Sequence, residues 1–200
     1  MPNWCNNTLT ISHEDKTMMK RVVKGYNKNG LLNEFIPVPK ELYDTVAGSV
    51  GSKESYEQRL LEFREKLNQE FFGYKNWYDF CVGEWGTKWD IGHGDGYNKL
   101  TMKDIKNNTV RIGFDSAWSP PIGAYEKLSD MGIEIRALYY EGGCCFCGIW
   151  DNGNDECYEI KGKSDWVKKN IPSEIDEEFG ISFNMKVWED EEENAEAEES

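Results

Sequence analysis

Histidine, long apolar runs and an excess of basic residues are what this 200-residue sequence has least of. Its two histidines leave few positions for imidazole acid–base chemistry. No run approaches the roughly 20 apolar residues that cross a bilayer, and the N-terminus lacks the basic start and apolar stretch of a signal peptide. The expected compartment is therefore the cytoplasm, with no membrane partner. Lys and Arg number 23 against 37 Asp and Glu, a net charge of −14. Eight of the acids fall between Glu189 and Ser200, so the rest of the chain carries only about −6. Neither part offers a cationic face to neutralise phosphates, which disfavours double-stranded nucleic acid; an acidic surface suits a basic protein partner or plain solubility. Six cysteines could form three disulfides in an oxidising compartment, but a chain with 38% hydrophobic and 14% aromatic residues can build a core without them, and reduced thiols are expected.

What is abundant is tryptophan, and it is clustered. Four of the eight lie in two stretches, Asn76 to Asp90 (Trp77, Trp85, Trp89) and Phe114 to Pro121 (Trp118). A buried indole needs a partner for its N–H, so such a cluster marks an aromatic core or a contact surface. Trp77 and Trp85 share helical spacing with Phe80 and Cys81 and read as core; Trp89 and Trp118 are less constrained and are the candidate contact residues.

The elements follow from periodicity. Trp4 to Ser12 alternates as a strand, Asp15 can cap a helix with Met18, Met19, Val22, Val23 and Tyr26 on one stripe, and Asn27 to Gly30 ends it. Tyr56, Leu60, Phe63, Leu67 and Phe71 make an amphipathic helix over about 54–70. Asn76 caps a short helix ending at Gly86, and strands are expected over 88–92, 100–105 and 110–114. Ser119-Pro120-Pro121 starts a helix that Gly132 stops, and Ile133 to Tyr140 is a long strand. An added hairpin occupies about 144–161, short helices 163–170 and 173–179, and a strand 181–188. The acidic residues 189–200 read as a disordered tail.

This order fits one α+β domain over 1–188: a ferredoxin-like sandwich, an antiparallel sheet with helices on one face, carrying a helical insertion at about 31–75 and a C-terminal β extension. The opening Met1-Pro2-Asn3-Trp4-Cys5-Asn6-Asn7, with Asn76-Trp77-Tyr78-Asp79, Trp85-Gly86-Thr87-Lys88-Trp89-Asp90 and Ala117-Trp118-Ser119-Pro120-Pro121, resembles the YubB-like family of bacteriophage and plasmid proteins with a ferredoxin-like domain. The resemblance spans roughly residues 1–160. It implies a mobile-element protein with a ferredoxin-like core, acting in the cytoplasm of a bacterial host, and supplies no catalytic residue.

Among polar candidates, His93 and Asp95 in a Gly-rich stretch could exchange protons, but without a following helix to present amides the stretch reads as a turn. Asp79, Glu84, Asp90 and Asp115 could supply an acid–base pair, or could cap helices and accept from indoles. Cys145, Cys147 and Cys157 are weak zinc candidates whose spacing departs from paired ligands in turns, and no cofactor is expected. Asp151 to Glu156 is oxygen-rich, but its misplaced glycine makes it a hairpin turn rather than a calcium loop. With the phage and plasmid setting that the resemblance implies, the expected function is a non-enzymatic accessory protein that binds and inhibits a host protein, as a counter-defence factor. The alternative is nucleotide or single-stranded nucleic-acid binding through exposed Trp, and a carboxylate-dependent hydrolase comes last.

Overall fold

The computed structural model describes residues 3–92 and 97–198. Its strands are β1 (Trp4–Ser12), β2 (Thr109–Ala117), β3 (Glu134–Glu141), β4 (Phe146–Asp151) and β5 (Asn154–Glu159). The helices are α1 (Lys16–Lys24), α2 (Leu31–Phe35), α3 (Lys40–Tyr43), α4 (Tyr56–Phe72), α5 (Trp77–Phe80), α6 (Ile122–Asp130), α7 (Ser164–Asn170), α8 (Ser173–Phe179) and α9 (Ile181–Glu198). Wider π turns extend α1 over Gly25–Asn29 and α5 over Cys81–Trp85. The sheet runs in the order β2-β1-β3-β4-β5 with every neighbour antiparallel. β2 and β3 therefore point the same way on either side of β1, and α6 joins them: a split β-α-β unit of the ferredoxin-like α+β class.

Alternation sets the core face. Leu9 and Ile11 of β1, Val110, Ile112 and Phe114 of β2, Ile135 and Ala137 of β3 and Trp150 of β4 pack in one buried cluster with Met19 and Val22 of α1 and Tyr125 and Leu128 of α6. Asp15 caps α1 as expected, accepting the Thr17 N–H at 2.7 Å. Ser119 does not cap α6. It donates instead to the Gly86 carbonyl at 3.1 Å, and Pro121 occupies the cap. Gly132 ends that region with φ +82°, a conformation that favours glycine. Asn152 and Gly153, both at positive φ, turn β4 into β5, so the oxygen-rich Asp151 stretch is a hairpin.

The second sheet face is half covered too. Leu138 and Cys147 pack with Val167 of α7, Ile171 just after it, Ile175 of α8 and Ile181 of α9. Arg136 makes a two-pronged contact to Glu174 at 2.6 and 2.7 Å, and Arg111 pairs with Glu178, which holds α8 over the strands. Residues 181–188, expected as a strand, are helical, and the helix runs on through the acidic stretch to Glu198. The alternation of Ile181, Phe183, Met185 and Val187 mimicked a strand, but contacts decide otherwise. Asp176 accepts from Ser182 N and Oγ at 2.6 Å, Glu189 caps the start of α7 through Ser164 N and Oγ at 2.7 and 2.8 Å, and Lys186 pairs with Asp190 one turn on.

Helices α2 to α5 form the insertion between α1 and β2. Two expected strands are missing from it: residues 88–92 and, among those described, 97–105 lie in irregular backbone held by side-chain bonds such as Asn27 Nδ2 to Leu100 O at 2.7 Å. The helix α4 exists, but its stripe faces the wrong way for a core. Leu61 and Asn68 are its buried residues, and Asn68 donates to Thr45 Oγ1 and Lys75 O at 3.0 and 2.8 Å. Tyr56, Leu60, Phe63, Leu67 and Phe71 are all exposed.

Candidate functional site

Three segments distant in sequence meet at one end of the sheet: residues 3–7, 85–90 and 117–121. Backbone and hydroxyl contacts fasten them. Trp118 N donates to Asn3 O at 2.9 Å, Ala117 N to Thr87 Oγ1 at 3.2 Å, and Asn7 Nδ2 to Ser116 Oγ at 2.8 Å. Gly86 is needed here because it sits at φ +80° with the α6 backbone only 3.3 Å from where a Cβ would lie.

These contacts put aromatic rings on the surface rather than inside. Trp4, Trp89 and Trp118 are 47%, 39% and 42% exposed. Trp4 stacks on Trp89 at 5.6 Å, and the Lys88 ammonium lies 4.5 Å from the Trp89 ring centroid, 5.8 Å from Tyr78 and 5.9 Å from Trp118. Trp118 adopts φ +69°, a left-handed conformation that costs a bulky L-residue roughly 1–2 kcal/mol. The contact to Asn3 O holds this backbone while the indole stays largely at the surface.

Beside the patch lies a cleft of about 810 Å³, lined by residues including Trp77, Trp85, Trp89, Lys40, Lys88 and Asp90. Trp85 is buried and donates its indole N–H to Ile36 O at 3.0 Å, in keeping with the core role expected of it; Trp77 is half-buried and packs against the same cluster while lining the cleft. Asp90 accepts from Leu32 N, Asn33 N and Ile91 N at 2.7, 2.8 and 2.7 Å, which caps α2. Burial outweighs those donors and raises its carboxyl to about 6. Burial likewise pushes the Cys81 thiol up to about 12, so it offers no thiolate to the cleft at neutral pH.

Of the residues singled out from sequence, Trp89 and Trp118 are brought together around Lys88. Asp115 lies on the same strand face as Trp4 and is engaged by Asn6 Nδ2 at 2.7 Å and Tyr97 OH at 3.0 Å. His93 and Asp95 lie outside the described residues. Glu84 is occupied separately: desolvation works against its charge, but hydrogen bonds from Lys127 and Tyr74 hold it below its ordinary value. Glu84, Asp90 and Asp115 thus have separate partners and form no acid–base pair. The cysteines do not converge either. Register places Cys147 opposite Tyr158 and Cys157 opposite Gly148, so the two point to opposite faces, while Cys145 sits exposed in the β3–β4 turn. Sequence reasoning missed Trp4, Tyr78 and Lys88. Trp4 carried a signal, because its place in the alternation of β1 puts it opposite the buried Cys5, Leu9 and Ile11.

Residues 96–179 match the family model of the ferredoxin-like domain in Api92-like protein. That span holds β2 to β5, α6, α7 and α8; β1, which completes the sheet between β2 and β3, comes from outside it. Among solved structures the chain is similar to the crystal structure of protein api92 from Yersinia pseudotuberculosis, at 12% identity and a TM-score of 0.41, covering 81% of this chain and 99% of that one. No curated protein matches.

Proposed function

We propose that this protein is a non-enzymatic recognition module that binds a partner protein through Trp4, Tyr78, Lys88, Trp89 and Trp118. The observation that carries the reading is the convergence of two exposed tryptophans, Trp89 and Trp118, and Tyr78 on one lysine, with the exposed Trp4 stacked on Trp89. Aromatic anchors of this kind dominate binding energy in protein interfaces, and desolvating a cation over their faces strengthens it. The resemblance to proteins of phages and plasmids supports a host protein as the partner and its inhibition as the outcome. The test is retention of host proteins on the immobilised full chain at low salt, beside the double variant Trp89→Ala/Trp118→Ala. Retention by the wild type that the variant loses supports the reading; retention of nothing, or of the same proteins by both, overturns it. Trp118→Gly sharpens the test, since relief of the positive φ should leave stability unchanged or raised while binding falls.

The cleft favours a second reading. Indole walls with Lys40 and Lys88 in the lining suit a planar anionic molecule of nucleotide size. Tryptophan fluorescence titrated with a panel of nucleotides checks it. Quenching that weakens in Lys40→Ala supports it, and an unchanged spectrum at millimolar ligand removes it.

A further inference from the structure

We propose that α4 is a dimerisation helix, which pairs antiparallel with the α4 of a second copy of this chain. Its exposed residues Tyr56, Leu60, Phe63, Leu67 and Phe71 recur at spacings of four, three, four and four, the pattern of a helix–helix seam. They are 70%, 39%, 59%, 38% and 75% exposed, so the stripe is open along the whole 17-residue helix.

The pattern is nearly its own mirror image along the helix. Turned end for end, Tyr56 meets Phe71 of the other copy, Leu60 meets Leu67, and Phe63 meets Phe63 close to the two-fold axis. One patch thus serves both partners, as closed two-fold symmetry requires. The five side chains expose roughly 500 Å² per copy, on the scale of 150–250 Å² for a buried aromatic. Flanking stems then bring the contact towards the roughly 800 Å² per partner of a standard interface.

Charge works against the pairing, and this gives it a signature. Arg59, Arg64 and Lys66 flank the seam with Glu57. The antiparallel arrangement sets Arg59 beside Lys66 of the other copy twice over, and Arg64 near its own counterpart. Like charges at an exposed edge are a weak and salt-screened effect, smaller than the burial of ten apolar side chains. The dimer should therefore tighten as salt rises.

Sedimentation of the full chain from 1 to 200 μM tests this directly. The expected result is a monomer–dimer equilibrium whose Kd falls between 50 and 500 mM NaCl. Phe63→Asp should raise Kd at least 100-fold with an unchanged circular dichroism spectrum, because the side chain is exposed in the monomer. Lys66→Glu should lower Kd roughly tenfold at low salt, by making two Arg59 contacts attractive; a parallel pairing would leave that variant unchanged. A monomer throughout the range overturns the proposal. So does a dimer that survives Phe63→Asp, or one lost instead to Trp188→Asp, which would place the contact on the exposed Phe183, Val187 and Trp188 of α9.

Discussion

Helices α1 and α4 carry the same kind of message in sequence and have opposite fates. In α1, Met19 and Val22 are 1% exposed and lock onto the sheet; in α4, the regular stripe faces out while Leu61 and the polar Asn68 face in. An apolar stripe records that a face is meant to be covered. It does not record whether the cover belongs to the same chain, and α4 is the case where it does not.

The contrast can be broken at its strongest point first. Met19→Ala should cost about 2–4 kcal/mol in urea unfolding, because a buried side chain leaves a cavity; a loss under about 1 kcal/mol would mean that α1 is not the anchor the packing makes it. Next comes the capping carboxylate of the neighbouring α2. Asp90 is raised to about 6 from its ordinary 3.8, so the folded state holds a proton that the unfolded state releases. The stability this contributes is fully present below about pH 3.8 and is lost as pH rises through about 6, an effect of order 1–3 kcal/mol. Asp90→Asn should flatten this fall between pH 4 and 6, and parallel wild-type and variant profiles would remove the claim. On the inner face of α4, Asn68→Ala should cost about 1–2 kcal/mol through two lost hydrogen bonds, read from the same unfolding curves. Smallest is the outer face: at concentrations where the chain is monomeric, Phe63→Ala should change stability by less than about 0.5 kcal/mol.

Most of the sheet was legible from alternation. Leu9 and Ile11, Val110 to Phe114, and Ile135 with Ala137 lie where period two puts them, and the turn at Asn152-Gly153 falls where its residues require. The α9 segment was not legible, since Ile181 and Met185, four apart, share a helix face as well as a strand face, and the choice rests on Asp176 and Glu189, which no local window pairs with Ser182 and Ser164. The candidate site was half legible. Spacing separated the buried Trp85 from the exposed Trp89 and Trp118, but bringing Lys88 and Trp4 to the same place depends on β1 pairing with β2 more than 100 residues away. The same long-range packing occupies the carboxylates that looked available for chemistry.

β1 has a further consequence for synthesis. It is made before both of its neighbours, yet it becomes an interior strand only when β2 and β3 arrive, with Leu9 aligned to Ile112 on one side and Ala137 on the other. Until residue 141 leaves the ribosome, Cys5, Leu9 and Ile11 have one sheet neighbour at most, and a chain stopped after α5 has none. The nascent protein therefore carries an unsatisfied apolar strand until β2 and β3 emerge, the interval in which a chaperone or a premature neighbour can claim it.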